Sequence, residues 1–201
     1  RHVTAVQAIL TKLHRDGRLT RASYRGWYCT PDETFWTEAE LAQPSSSVEA
    51  PVCPACQRPL EPVTEEGWHL PLRAAQDWLN SFVAAHPNFV RPETRYNELR
   101  SLLEQPLPES LCITRPRSRV GWGIPVPIDS NSVTYVWFDA LLNYITVPGY
   151  IEDGERFARL WPADVHFIGK DILRHHAVYW PIMLHALGLP DARAQLRATS
   201  G

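Results

Sequence analysis

From Leu111 to Leu189 the sequence switches its hydrophobic period repeatedly, and that alternation limits the fold more than any other feature. LCIT and SVTYVWF read as strands, DALLNYIT as a helix, DVHFIG as a strand and DILRHHAVYWPIMLHALGL as a long helix. Strands of period two alternating with helices of period 3.6 predict an α/β arrangement with a parallel sheet and crossover helices. The spacing predicts a strand ending near Phe138 with Asp139 capping the next helix, and a kink at Pro181.

Upstream the texture differs. Val6, Ile9, Leu10 and Leu13 repeat at helical spacing, predicting a helix over 3–16 stopped at Gly17. From Gly26 to Glu66 come the aromatic-rich pieces GWYCTP and TFWTE, a Pro/Ser stretch QPSSSVEAPV and the turn CPAC, which describe a small loop-rich insert. Pro71 and Pro92 sit at expected helix starts, followed by Leu72, Ala75, Leu79 and Phe82 and by Tyr96, Leu99 and Leu103.

A net charge of -2 gives no global basic field to draw nucleic acid, so any RNA contact must be local. Arg115, Arg117 and Arg119 in TRPRSR form such a local run, which either touches phosphates or is a solvated loop. The apolar runs are too short for a membrane span, the opening RHVTAVQAIL lacks the apolar block of a signal peptide, and a cytoplasmic location is expected. Four cysteines are too few for a disulfide scaffold. The chain opens on Arg1 and ends in ARAQLRATSG without a recognisable cap or strand, so a piece of something longer is expected.

Ligands of an open parallel sheet bind beyond the carboxyl ends of its strands. One such end carries Trp137, Ala140, Leu141 and Tyr144, and the other carries Gly169, Lys170 and Asp171 ahead of Ile172 and His176. Ile172 and His176 share a helical face, whereas His175 is expected about 100° away. An indole, a phenol, an aliphatic and an imidazole suit a linear side chain with a polarizable thioether; the same residues also suit a packed core. Gly169-Lys170 lacks the Walker spacing. Gly169 instead lets a nucleotide approach the backbone, and Asp171 accepts from a ribose hydroxyl or caps the helix. Cys53 and Cys56 have knuckle spacing, and with Cys29 and Asp32 they form either a zinc site of three thiolates and a carboxylate or a metal-free remnant. Cys112 lies in a strand pattern as a buried thiol.

YVWFDALLNYIT, HFIGKDILRHHAVYWP, TRPRSR ahead of WGIPVP, and GWYCTPDETFWTE, in this order, resemble the methionyl-tRNA synthetases. The resemblance implies part of a Rossmann-type class I synthetase catalytic domain with a zinc-knuckle-like connective peptide insert. Residues 1–25 would lead into the insert, 26–110 would be the connective peptide, 111–190 the second half of the Rossmann domain, and 191–201 an unassigned tail. Trp137, Ala140, Leu141, Tyr144, Ile172 and His176 would line a methionine site whose wall Asp139 helps to shape. Gly169 and Asp171 would contact adenosine, and Cys29, Asp32, Cys53 and Cys56 would hold Zn2+. The implied partners are methionine, ATP with Mg2+ as substrate, and tRNA(Met). Neither HIGH nor KMSKS occurs, and the two lysines, Lys12 and Lys170, are too far apart for the second. No catalytic residue is therefore assigned, and the chain alone is expected to be inactive. The competing class is a non-catalytic RNA-binding knuckle module; a nucleotide hydrolase fails for want of a phosphate loop.

Overall fold

A computed structural model describes residues 1–36, 41, 51–189 and 195–199. They divide into two compact units, residues 21–67 and residues 1–20 with 68–201. Residues 43–50, the larger part of the Pro/Ser stretch, lie outside the described residues.

Helix α1 (His2–Arg15) buries Val6, Ile9, Leu10 and Leu13, the stripe its periodicity predicts, with Ala5 buried beside them. It ends at Asp16, and Gly17 turns the chain with a φ of 67° that favours glycine. The small unit is built on β1 (Thr20–Cys29), β2 (Thr34–Trp36) and the start of β3 (Glu61–Pro71). β1 and β2 run antiparallel, with Cys29 opposite Thr34. A bridge between Val52 and Pro59 closes the Cys53–Cys56 turn, in which the Gln57 amide bonds the Cys53 carbonyl at 2.8 Å. Among the described residues, Cys29, Cys53 and Leu60 form one buried cluster with Trp27, Trp36, Leu41 and Cys56 packed around them, and Tyr28 and Val63 are buried as well.

The large unit continues with α2 (Gln76–Ala85), β4 (Val90–Arg91), α3 (Glu93–Leu103), β5 (Ser110–Cys112), β6 (Thr114–Pro116), β7 (Pro125–Val126) and β8 (Asp129–Thr134). Then follow α4 (Val136–Thr146), α5 (Gly154–Leu160), β9 (Val165–Gly169), α6 (Trp180–Leu187) and β10 (Gln195–Thr199). Leu79 and Phe82 of α2 and Leu99 and Leu103 of α3 join one core with α1, α4 and α6. Each such side chain contributes about 1.5–3 kcal/mol by leaving water.

The strands after Leu111 do not form one parallel sheet. β6, β8 and β7 form an antiparallel sheet, and the parallel sheet has the order β4-β10-β9. The C-terminal stretch expected to lack a strand supplies the central one: Leu196 and Ala198 face inward while Arg197 stays exposed, and five residues pair with Val165–Gly169. Two helix starts also move. β8 ends at Thr134, Tyr135 is the N-cap of α4, and Asp139 sits in its first turn rather than at its cap. Burial at Phe138, Leu141, Leu142 and Ile145 is helical in spacing, and it outweighs the strand preference of the aromatic and β-branched run before it. Beyond β9 the chain makes a short 3-10 turn at Lys170–Ile172, a π-helical turn at His175–Tyr179 and then α6. Pro181 has no amide hydrogen and its ring crowds the preceding turn; the π turn absorbs that crowding, with the Trp180 amide bonding the His175 carbonyl five residues back. No helix among the described residues is long and apolar enough to cross a membrane.

Candidate functional site

α4 and the π turn bring the central groups together. The Tyr144 hydroxyl lies 2.9 Å from His176 Nε2, and His176 Nδ1 lies 2.9 Å from the Ile172 carbonyl. A carbonyl only accepts, so Nδ1 carries the hydrogen and the neutral imidazole offers Nε2 as an acceptor to the Tyr144 O–H. Burial holds His176 below the usual histidine range, against a smaller raising effect from the Ile172 carbonyl, which keeps this tautomer in place at neutral pH. Burial likewise raises the Tyr144 phenol.

Two histidines that sequence reasoning left out of the site complete the cluster. His166 on β9 packs its ring 4.3 Å from that of Tyr144, and its Nε2 is buried with no hydrogen-bond partner among the described residues. Burial first, and the charge of a protonated His176 second, push its pKa down to about 4. Strand alternation would have found it, since His166 and Ile168 face inward while Phe167 faces out. His175 lies 4.0 Å from the Trp137 indole at 30°, so the imidazole expected to point away is the one that meets Trp137. The π turn changes the helical phase, a shift invisible to a 3.6-residue period. Burial, then His176, then Arg174 lower its pKa to about 4.

The remaining expected residues are scattered more widely. Leu141 is 2% exposed within the core, Ala140 is exposed, and Ile172 packs on the core while its carbonyl orients His176. Asp139 is bound to His2 Nε2 at 2.6 Å, and His2 Nδ1 reaches Thr146 at 2.7 Å, so this carboxylate ties α1 to α4. Gly169 has φ −68°, which any residue adopts, and a Cβ added there would meet nothing within 4 Å. Its value is open space above the backbone. Asp171 is the second residue of the 3-10 turn rather than a cap, and with Lys170, Arg174 and Arg95 it lines a cavity of about 350 Å3. Of the TRPRSR run, Arg115 is buried with its guanidinium 4.1 Å from the Tyr135 ring centre, leaving Arg117 and Arg119 exposed.

In the small unit, Cys29, Asp32, Cys53 and Cys56 place their ligand atoms within 4.8 Å of one another. Asp32 Oδ2 is 3.2 Å from Cys29 Sγ and 3.1 Å from Cys53 Sγ, and the Cys29 and Cys56 sulfurs are 3.5 Å apart. A tetrahedral zinc with ordinary bond lengths needs edges of about 3.5–3.8 Å, so three thiols and one carboxylate at these separations fit the ion with little movement. Without an ion the thiols donate to Asp32. Burial, reinforced by the neighbouring carboxylate and thiols, raises Cys29 to about 12; the Asp32 hydrogen bond raises Cys56, and the thiols lower Asp32, Cys56 foremost.

The chain is similar to known proteins over nearly its whole length. The family model for tRNA synthetases class I (M) matches residues 1–199. A methionine–tRNA ligase of Caldanaerobacter subterraneus subsp. tengcongensis is 47% identical over 190 residues, 94% of this chain and 28% of that protein. One from Clostridium acetobutylicum is 45% identical over 190 residues, again 94% of this chain and 28% of its own length. A solved Mycobacterium tuberculosis methionyl-tRNA synthetase in complex with methionyl-adenylate superposes with a TM-score of 0.87 at 36% identity, covering 98% of this chain and 38% of that one. The chain thus spans between a quarter and two-fifths of the length of these relatives. With matches of this extent in both sequence and fold, the chain belongs to the class I tRNA synthetase family of the methionine type.

Proposed function

We propose that this chain forms one side of the methionine site in a methionine–tRNA ligase, which joins methionine to ATP as methionyl-adenylate and passes the acyl group to tRNA(Met). The observation that carries the reading is the fixed tautomer of His176 beneath Tyr144. The Tyr144 proton lies between its own oxygen and His176 Nε2, and the His176 Nδ1 proton points at the Ile172 carbonyl, so the pair turns no free donor toward the site. A thioether accepts hydrogen bonds weakly and donates none, so it meets these rings through dispersion and sulfur–aromatic contact and leaves the proton on its present bond. Trp137 on His175 supplies a flat apolar flank, and Leu141 and Ile172 back the rings from the core. The methionyl-adenylate bound to the M. tuberculosis relative supports the same ligand here.

In the reaction the methionine carboxylate attacks the α-phosphorus of ATP and pyrophosphate leaves with Mg2+; a terminal tRNA hydroxyl then attacks the acyl carbonyl and AMP departs. The residues of this chain bind and orient the amino acid, while Gly169 and Asp171 receive the adenosine. Charge on the pentavalent phosphorus is met by groups outside these 201 residues, since neither adenylation signature is among them. Cys29, Asp32, Cys53 and Cys56 would hold Zn2+, which supplies a cross-link for the small unit rather than chemistry at the substrate.

Methionine-dependent exchange of pyrophosphate into ATP, measured on the full-length ligase with and without Trp137→Ala, tests the reading. The KM for methionine is expected to rise by about tenfold with the KM for ATP unchanged. Exchange driven equally by leucine, or a Trp137→Ala variant with the parent's methionine KM, overturns it.

A further inference from the structure

The loop between β6 and β7, the strands on either side of β8, carries a feature that the methionine site does not use. Trp122 is 75% exposed, the most exposed of the large hydrophobic side chains among the described residues. It stands on a loop whose two feet are fixed. On one side the Arg117 amide bonds the Asn131 carbonyl at 2.8 Å, and the Arg119 and Val120 amides close onto the Pro116 carbonyl at 3.0 and 3.2 Å. On the other, the Thr134 amide bonds the Ile124 carbonyl at 2.8 Å, and Gly123 lies so close to β8 that an added Cβ would stand 2.8 Å from the Val133 side chain. Leaving an indole in water on an ordered loop forgoes its apolar burial. The loop that presents it also presents Arg117 and Arg119, both exposed, whereas Arg115 is turned inward over Tyr135.

We propose that residues 117–122 are a landing for a single-stranded RNA end, the Trp122 indole stacking a base while Arg117 and Arg119 sit against its phosphates. An aromatic platform with flanking cations is the general chemistry of single-strand binding, tolerant of sequence because every base has a π-face. Two arginines and one indole on a loop too small to read a duplex groove favour an unpaired end over a helix. The inference rests on the reading above, in which the RNA is the unpaired terminus of the tRNA substrate.

The test titrates this chain into a labelled single-stranded RNA of about eight nucleotides and follows fluorescence anisotropy, with double-stranded RNA as the control. Trp122→Ala is expected to weaken single-strand binding by about tenfold, with Trp122→Phe keeping most of the affinity. Arg117→Gln with Arg119→Gln is expected to lower the slope of log affinity against log salt by about 1.4. Because Trp122 is outside the core, a urea midpoint matching the parent confirms that each variant is folded. Equal affinity of the parent and Trp122→Ala, no binding by the parent at low salt, or a preference for the duplex overturns the proposal. Pyrophosphate exchange uses no RNA, so loss of methionine dependence in that assay sinks the methionine reading alone, while failure of the anisotropy test sinks only the loop proposal.

Discussion

The small and large units each gather polar groups from distant stretches of sequence, and they hold them by different means. Around Tyr144 the rings of His166, His176 and Trp180 are pressed together by a core that includes Phe138, Leu142, Ala177 and Val178, all at most 1% exposed. Around Asp32 the three thiols pack, among the described residues, on Leu60 and the partly buried Trp27, Trp36 and Leu41. A cluster set in a large core is positioned by packing whether or not its ligand is present, and the ligand meets a formed surface. A cluster with so small a core needs a cross-link to be equally well defined.

The sharpest way to break this comparison is to supply the ion. Zn2+ added to the reduced chain at pH 7 is expected to bind with the loss of about three protons, because metal-bound thiols must ionise and burial and Asp32 keep those of Cys29 and Cys56 protonated beforehand. Structural zinc sites in small peptides bring apparent free energies of about 10–16 kcal/mol, so amides of β1 and β2 should gain strong protection from hydrogen exchange while those of α4 and α6 stay as they were. Calorimetry in buffers of different ionisation heat counts the protons. A silent titration, or protection spread evenly over both units, removes the contrast, and Cys53→Ala should lower the proton count by one.

The same difference governs what the sequence disclosed. α1 was legible because Val6, Ile9, Leu10 and Leu13 repeat at helical spacing without interruption, and all four are buried. The knuckle quartet was legible too, since metal-ligand spacing is a local property and Asp32 stands three residues after Cys29. Tyr144 and His176 were legible as neighbours through the four-residue helical step on each side. His175 was not, because its direction depends on a π turn, and β10 was not, because a five-residue alternation becomes a strand only when β9 and β4 are there to pair with it. Sequence spacing fixes contacts along an element; contacts made between elements by a change of helical phase or a late strand leave no such mark.

A second and smaller effect tests the packed side of the comparison. His166 and His175 are held near pKa 4 by burial, whereas in the unfolded chain they take up protons from about pH 6.5 downward. Between those values the unfolded state binds more protons than the native one, so stability falls as pH drops through the window and changes little from these groups above it. The loss at pH 5 is on the order of 2 kcal/mol for each imidazole. Urea unfolding at pH 7 and pH 5 measures it, and His166→Gln should remove a share of the slope. A stability independent of pH across this range would show the imidazoles to be open to water and the cluster unpacked.

The smallest expected effect is the most pointed. Tyr144→Phe deletes one oxygen from the packed cluster and leaves His176 Nε2 without its donor at 2.9 Å. The net value of such a bond is about 0.5–1.5 kcal/mol, and an orphaned buried acceptor raises the loss toward the upper end. If packing positions the cluster, the phenyl ring should stay against His166 and Trp180, and the full-length ligase should lose only a few-fold in methionine affinity at unchanged ATP affinity. If instead the hydrogen bond positions it, freeing His176 should let its imidazole turn, and discrimination against side chains lacking sulfur should fall along with affinity. Pyrophosphate-exchange kinetics with methionine and with norleucine separate the two, since only the second case narrows the ratio between them. A ratio that holds while affinity slips places the specificity in the shape of the packed rings, which is what the core beneath Tyr144 provides and the thiols around Asp32 lack.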